Sequence, residues 1–255
     1  MIAKTHEPMS TVSYSSATSK PRPVTTSQCS PWLTPLVYFV GQRLVLPAYF
    51  QKILIKGQEN IPRTGPVIIA PTHRARWDSL MVPLATGRPA TGRDLHFMVT
   101  ADEVTGIQGW FIRRLGGFAV NVRSPTIASL RHGIDLLRQN SMLVIYPEGG
   151  IFRDNEVHRL KPGLARLAVQ AEATSENLGV QILPMSIRYS SPNANWRSHV
   201  AVQIGQPLQV ASYLHQDAPK SSSSDCLKTT ARALTVDLAD ALVTLSGVAA
   251  PQKGG

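Results

Sequence analysis

The stretch VIIAPTHRARWD, residues 67–78, runs from four apolar residues directly into a turn that carries a histidine and an aspartate. A short apolar run bounded by turn residues is typical of a buried strand. His73 and Asp78 are five positions apart, so they diverge by about 140° on a regular helix and do not meet as helix neighbours. They meet if His73 lies in the turn after the strand and Asp78 lies in the first turn of the next helix, where a carboxylate suits the dipole. The carboxylate then holds one imidazole nitrogen and leaves the other free as a base.

Other strand ends carry functional groups as well. The run MLVI, residues 142–145, leads into YPEGG, residues 146–150, whose glycines let backbone N–H groups approach a ligand. Residues 115–123, LGGFAVNVR, indicate a strand that ends in a cation, and residues 180–185, VQILPM, indicate a later strand. Without these further motifs, a solvated histidine and a helix-capping aspartate would be the favoured interpretation of the first stretch.

This set of motifs, in this order, resembles the glycerolipid acyltransferase family that includes the 1-acylglycerol-3-phosphate acyltransferases. The resemblance covers about residues 50–190. In that family a His-x4-Asp block precedes a Gly-x-x-Phe-x-x-Arg-like block, a Phe-Pro-Glu-Gly-Thr/Ser-like block and a strand with a central proline. The matching residues here are His73 and Asp78, then Gly117 and Arg123, then Pro147, Glu148 and Gly149, then Pro184. Thr72, Ala75 and Gly150 stand where the family usually has Asn, Ser and Thr or Ser, which bears on the identity of the acceptor.

The resemblance implies acyl transfer from acyl-CoA or acyl-carrier protein to the free hydroxyl of 1-acylglycerol-3-phosphate, giving phosphatidate. His73 and Asp78 would be the catalytic residues. The substrate-binding residues would be Gly117, Arg123, Glu148, Gly149, Gly150 and Lys161. Arg123 and Lys161 would bind the acceptor phosphate, while Glu148 would bind acceptor hydroxyls or anchor a nearby arginine. The open alternatives are another lysolipid or alcohol acceptor, a lipid ester or thioester hydrolase, and a lipid-binding protein without turnover.

The length and composition predict one α/β domain with a mixed, largely parallel sheet covered by helices and an active site at the strand ends. The chain has 255 residues and 43% hydrophobic content, enough for one sizeable core. Residues 31–248 would form this domain, between a disordered N-terminal tail, residues 1–30, and a disordered C-terminal tail, residues 249–255. Strands are expected near residues 52–57, 66–71, 95–100, 117–122, 142–146, 180–187 and 199–204.

The clearest predicted helices cover residues 125–139, residues from about 162 and residues 225–245. In the first of them Ile127, Leu130, Ile134 and Leu137 would face the sheet. The last would pack on the core through Leu234, Leu238, Leu242 and Leu245.

The net charge of +10 indicates an anionic partner, which we take to be a membrane surface and phosphate-bearing substrates. A nucleic-acid partner is not expected, because no nucleic-acid-binding motif accompanies the charge. Trp32–Phe50 is apolar but contains Arg43, which disfavours a transmembrane span, and either lies in the membrane interface or packs on the domain. Peripheral association with the cytoplasmic side of a membrane follows, with a plastid location as an alternative because residues 1–30 are rich in Ser and poor in acids. No disulfide, metal or cofactor is expected beyond the acyl thioester co-substrate.

Overall fold

A computed structural model describes residues 27–121, 126–175, 177–215 and 224–247 of the chain. Its central sheet has eight strands, seven of them in the order β1-β7-β6-β2-β5-β3-β4, with β8 paired to β6. Neighbouring strands are parallel except where β6 meets β7 and β8. The strands are β1 Lys52–Lys56, β2 Val67–Pro71, β3 Leu95–Thr100, β4 Gly117–Val120, β5 Met142–Val144, β6 Gln181–Tyr189, β7 His199–Ile204 and β8 Leu208–Gln209.

Helices cover both faces of this sheet. They are α1 Leu33–Val40, α2 Leu46–Tyr49, α3 Asp78–Thr86, α4 Arg88–Thr91, α5 Gly106–Arg114, α6 Ile127–Arg138, α7 Gly163–Ala173, α8 Val210–His215 and α9 Ser224–Ser246. A π-helical turn, Gly41–Val45, joins α1 to α2, and short 3₁₀ turns follow β1 and β3. One apolar core lies between the sheet and helices α6 to α9, and a second lies between the sheet and the layer formed by α2, α3 and α4.

Strand β2 lies in the interior of the sheet, and each of its residues is buried. It runs parallel to β5 on one side and to β6 on the other, so the carboxyl ends of all three strands meet at one edge of the sheet. Strands β3 and β4 extend the same parallel arrangement beyond β5. Ligands of parallel α/β sheets bind at such an edge. His73 and Asp78 follow β2, and Glu148, Gly149 and Gly150 follow β5, whereas Gly117 is the first residue of β4.

The predicted α/β fold is confirmed, with differences at several boundaries. Strand β5 ends at Val144 rather than residue 146, and β8 was not predicted. The predicted tail of residues 1–30 lies outside the described residues up to residue 26, but Cys29 forms a β-bridge with Leu115 and Ser30 donates to the Arg114 carbonyl. Cys29 and Ser30 therefore belong to the folded domain, which the prediction begins at residue 31. The predicted C-terminal tail lies outside the described residues.

Helix α6 buries most of its predicted face. Leu137 is fully buried, and Leu130 and Ile134 pack partly buried against the core. Ile127, the first residue of the helix, is 71% exposed instead of facing the sheet. Gly133 is also buried, and a Cβ atom there would lie 2.9 Å from Leu167 Cδ1, so the absent side chain allows α7 to approach here. Helix α9 likewise buries Leu234, Leu238 and Leu242 as predicted.

The segment Trp32–Phe50 forms α1, the π-helical turn and α2, and it is neither fully buried nor free of the domain. Leu33, Leu46 and Phe50 are buried. Its large exposed side chains are Trp32, Leu36, Phe39, Leu44 and Val45. In the part of the chain that the structure describes, we find no helix with the length and hydropathy that a bilayer span requires.

Candidate active site

His73 and Asp78 meet as the sequence predicts. His73 lies in the turn after β2, Asp78 is the first residue of α3, and His73 Nδ1 lies 2.9 Å from Asp78 Oδ2. A carboxylate only accepts hydrogen bonds, so Nδ1 carries the proton and Nε2 keeps its lone pair. The Asp78 side chain is fully buried, while that of His73 is 19% exposed. The buried carboxylate of Asp78 therefore orients the imidazole ring, part of which remains accessible to solvent.

The Asp78 carboxylate is bound by three further donors. Its Oδ2 accepts the backbone N–H groups of Arg74 at 2.6 Å and Ala75 at 2.9 Å. Its Oδ1 accepts the hydroxyl of Tyr189, at the end of β6, at 2.6 Å. Burial, followed by the charge of Asp78, raises the pKa of Tyr189 above its usual range, so this phenol remains a donor. Hydrogen bonds to the charged form of a carboxylate stabilise that form.

Glu148 fixes the backbone of the His73 turn. Its Oε2 accepts the His73 N–H at 3.0 Å, and both of its oxygens accept from the guanidinium of Arg74. The backbone N–H of His158 donates to Oε1 at 2.9 Å. On the other side, the Phe152 N–H donates to the His73 carbonyl at 2.9 Å. Because the Glu148 side chain is fully buried and both oxygens are occupied, the structure favours the arginine-anchoring role over contact with acceptor hydroxyls.

The glycine turn after Glu148 lies beside Lys161. Gly149 has a φ of 71°, and a Cβ atom there would lie 2.7 Å from Lys161 Cδ, Cε and Nζ. The absent side chain therefore allows the lysine to cross the turn. Gly150 follows on the same rim, and Gly117 is buried at the start of β4, where a Cβ atom would lie 2.3 Å from a side-chain carbon of α5. Arg123 lies outside the described residues, so its predicted place beside these groups stays a prediction.

An apolar cavity of about 600 Å³ opens at His73. Gly149 and Gly150 line the same rim. Further inside, its walls come from α1 and the π-helical turn, from α3, from β3 and from the end of α5. Its apolar lining includes Val37, Leu80, Leu84, Leu95, Phe97 and Ile112. The His73–Asp78 pair thus lies where a long apolar ligand in the cavity would present one end to the imidazole.

Three residues of the site were not identified from the sequence. Arg74 lies inside the His-x4-Asp block, yet nothing in the block distinguishes this arginine from Arg76, whose side chain is 79% exposed. Tyr146 stacks on His73 with ring centroids 3.9 Å apart. Tyr189 is 111 positions from Asp78 and belongs to no local pattern. Over the ranges that the structure describes, no group of three or more His, Cys, Asp or Glu residues is arranged to hold a metal ion.

In comparisons with known proteins, this chain is similar to acyltransferases. The family model "Acyltransferase" matches residues 52–188. A 1-acyl-sn-glycerol-3-phosphate acyltransferase of Streptococcus pneumoniae is 27% identical over 150 residues, which cover 57% of this chain and 50% of that protein. A protein of the same name from Bacillus subtilis is 24% identical over 168 residues, covering 64% of this chain and 77% of that protein. Bovine glycerol-3-phosphate acyltransferase 1, mitochondrial, is 27% identical over 158 residues, or 56% of this chain and 19% of that protein.

The fold has a counterpart among solved structures. The crystal structure of the 1-acyl-sn-glycerophosphate (LPA) acyltransferase PlsC from Thermotoga maritima matches with a TM-score of 0.59 and 19% identity, covering 86% of this chain and 81% of that one. At this identity the likeness shows the fold alone. This chain spans only half of the Streptococcus protein and less of the bovine one. Because the family model matches more than half of the chain, the protein belongs to the acyltransferase family.

Proposed function

We propose that the protein transfers a fatty acyl chain from acyl-CoA or acyl-carrier protein to the free hydroxyl of 1-acylglycerol-3-phosphate, giving phosphatidate in phospholipid biosynthesis. The observation that carries this proposal is the His73–Asp78 pair at the opening of an apolar cavity. The names of the Streptococcus and Bacillus relatives support the choice of acceptor.

The chemistry needs only a base and a bound thioester. His73 Nε2 takes the proton of the acceptor hydroxyl, whose oxygen attacks the thioester carbonyl. The new C–O bond forms as the C–S bond breaks, and the imidazolium returns the proton to the leaving thiolate. Asp78 stabilises the imidazolium, and general-base assistance of this kind contributes about 10² to 10⁴ in rate. Ser79 lines the cavity but donates its hydroxyl to the Arg76 carbonyl at 2.8 Å, in keeping with direct attack by the acceptor.

The cavity suits the acyl chain. Its volume of about 600 Å³ lies within the range of roughly 300–1,000 Å³ that is usual for small-molecule pockets. Leu80, Leu84 and Phe97 supply apolar wall surface, which favours burial of an alkyl chain over water. The thioester carbonyl would then lie at the rim, beside His73 and the glycine turn, where backbone N–H groups offer stabilisation of the oxyanion.

Arg123 and Lys161 would bind the acceptor phosphate. The support for Lys161 is that its side chain passes beside Gly149, and Gly149 lines the same cavity as His73. We expect Arg123→Ala to raise the KM for a phosphate-bearing acceptor more than the KM for the acyl donor, because a guanidinium binds phosphate through charge-assisted hydrogen bonds. Arg166→Ala, on the exposed side of α7, is the matched control. Equal effects on the two KM values would indicate a structural arginine.

The test of the proposed activity is thiol release from acyl-CoA and from acyl-carrier protein, with and without 1-acylglycerol-3-phosphate. We expect release that requires the acceptor, accompanied by the diacyl product. His73→Ala should abolish turnover while its circular dichroism spectrum stays unchanged, and His199→Ala, on β7, should retain activity. Release without acceptor would instead identify a thioesterase, and near-normal activity of His73→Ala would refute the proposed base.

The exposed side chains of the segment Trp32–Phe50 support peripheral membrane association. Trp32, Leu36, Phe39 and Leu44 are each between 52% and 60% exposed. Aromatic and aliphatic side chains on one side of a helix bind at the interface of a bilayer, and a net charge of +10 favours anionic lipids. The membrane surface would then deliver lipid substrates to the cavity, which the other side of the same segment lines.

Vesicle co-sedimentation tests this association. We expect the protein to bind phosphatidylglycerol-containing vesicles more strongly than pure phosphatidylcholine vesicles. A Trp32→Ser/Phe39→Ser variant should lose most of this binding. The control is Val236→Ser/Val243→Ser, which removes two equally exposed apolar side chains from α9. Equal loss in both variants would mean that the segment has no special part in membrane binding.

A further inference from the structure

The fourth hydrogen bond to Asp78 has no role in the transfer reaction as described above. Tyr189 donates to Asp78 Oδ1 at 2.6 Å, while the other three donors, including His73, all bind Oδ2. Oδ1 therefore has a single donor among the described residues. We propose that Tyr189 is a positioning residue that fixes the rotation of the Asp78 carboxylate and limits how strongly this carboxylate holds a proton on His73. This inference rests on the proposed base role of His73.

The position of Tyr189 is rigidly determined. It is the last residue of β6, where it pairs with Val200 of β7, and it is 6% exposed. Its ring lies 5.8 Å from that of Phe50, which is itself buried. Earlier in the same strand, β6 pairs with β2 as far as Met185, whose partner Pro71 lies two residues before His73. The donor and the base are thus built on two adjacent strands of one sheet.

Asp78 and Tyr189 are both buried, so the hydrogen bond between them acts away from water. A fully buried carboxylate has no water to share its charge, so each donor takes a part of it. Tyr189 competes with His73 for the same negative charge from the opposite oxygen. Without Tyr189, Asp78 would stabilise the imidazolium more strongly, and His73 would keep its proton to a higher pH. A base must be unprotonated to accept the proton of the acceptor, so the rate at low pH would fall.

Other titratable and charged groups lie around His73 and Asp78, and their contribution stays constant when only the Tyr189 hydroxyl is removed. They are Tyr146 and Glu148 after β5, Arg74 and Arg76 in the turn before α3, Glu103 after β3 and Lys161 before α7. Burial raises the pKa of Tyr146 well above its usual range, so its phenol does not add a charge.

The test is Tyr189→Phe, which keeps the ring and removes the hydroxyl. We expect the acidic limb of the kcat/KM–pH profile to move to higher pH by about 0.5 unit, equivalent to about a threefold loss of rate below the limb. KM for the acyl donor should change little. Tyr213→Phe is the matched control, because the Tyr213 hydroxyl also donates to an aspartate, Asp237, at 2.7 Å but far from the cavity. It should leave the profile unchanged.

A purely structural role predicts a different result. If Tyr189 only supported the fold, Tyr189→Phe would lower the unfolding temperature or kcat at all pH values without moving the acidic limb. Site-specific replacement of Tyr189 by a monofluorinated tyrosine strengthens the donor and should move the limb in the opposite direction, to lower pH. An unmoved limb in both variants would overturn the proposal.

An NMR titration of the His73 ring separates this inference from the proposed activity. The ring resonance should titrate at higher pH in Tyr189→Phe than in the unsubstituted protein, whether or not any acyl transfer occurs. If thiol release fails but the resonance shifts as expected, only the proposed function is lost. If thiol release depends on His73 and the resonance does not shift, only the role of Tyr189 is lost.

Discussion

Replacing Glu148 by glutamine should destabilise the protein as well as the active site. Arg74 is 4% exposed at its side chain and Glu148 is fully buried, with Arg74 Nη1 and Glu148 Oε2 2.9 Å apart. The substitution keeps the shape of the side chain but removes the charge. It also replaces one carboxylate oxygen by an amide nitrogen, which cannot accept a hydrogen bond from Arg74 or from the backbone N–H of either His73 or His158, depending on which oxygen is replaced.

The expected loss is large because Arg74 would remain charged, buried and without its anion. Removing one partner of a buried ion pair costs about 3–5 kcal/mol, against a total stability of about 5–15 kcal/mol for a domain. For a domain of this size, each kcal/mol lowers the unfolding temperature by about 2–4 °C, so Glu148→Gln should lower it by at least about 6 °C. Urea denaturation monitored by circular dichroism gives the free energy directly.

The control is Glu103→Gln, which breaks the exposed pair between Glu103 and Arg76. Exposed pairs contribute about 0–1 kcal/mol, so this variant should unfold close to the unsubstituted protein. The double variant Arg74→Met/Glu148→Leu removes both charges and should be more stable than Glu148→Gln alone. If Glu148→Gln destabilised the protein no more than Glu103→Gln, the pair would not be desolvated and the proposed anchoring of the His73 turn would fail.

Three further predictions concern two glycines that line the cavity and two partly buried histidines away from it. Gly149→Ala should cost about 1–2 kcal/mol in urea denaturation through the strain of a φ of 71°. Its Cβ would also displace the flexible end of the Lys161 side chain, whereas Gly65→Ala, with a φ of 76° and open space around its Cβ, should cost a similar strain without moving a lysine. Gly41 lines the cavity, and no atom lies within 4 Å of the position that its Cβ would take. Gly41→Leu should therefore shift the preference in competition assays toward shorter acyl donors without loss of stability. An unchanged preference would mean that the acyl chain binds elsewhere. Burial lowers the pKa of His96 and of His132 from 6.5 in the folded protein. Below about pH 6.5 the unfolded chain therefore binds more protons than the folded protein, so the unfolding temperature should drop between about pH 7 and pH 5. His132→Gln should show a smaller drop, and an equal drop would assign it to other groups.

The part of the site that the sequence predicted is the part built from neighbouring residues. His73 and Asp78 are joined by a single turn, so strand and helix geometry alone brought them together. For Glu148 the sequence leaves two roles open, binding of acceptor hydroxyls and anchoring of a nearby arginine. The choice of Arg74 depends on burial, which requires the loop after the glycine turn to close over it, as its bond to the Glu156 carbonyl shows. That closure leaves no periodic signal in the sequence.

Long-range pairing explains what the sequence did not reveal. Tyr189 reaches Asp78 only because β6 lies beside β2, and a strand's neighbours cannot be read from its own apolar pattern. Helix α6 shows a related limit. Its apolar stripe predicts Leu130, Ile134 and Leu137 on the core side correctly, but Ile127, the first residue of the helix, is exposed. Periodicity identifies which residues share a side of a helix. It does not show how far along the helix the buried contact extends.

The segment Trp32–Phe50 connects the proposed membrane surface to the proposed chemistry. Val37, Tyr38 and Gly41 line the cavity, whereas Leu36 and Phe39 on the same helical segment are exposed. A helix separates such residues onto different sides, so one short element contributes to both surfaces. An acyl chain in the cavity would therefore lie a single helix diameter, about 10 Å, from the lipid that the exposed side is proposed to contact. Under this proposal, weakening membrane binding at Phe39 should raise the apparent KM for vesicle-bound acceptor while leaving turnover of a micellar, short-chain acceptor intact.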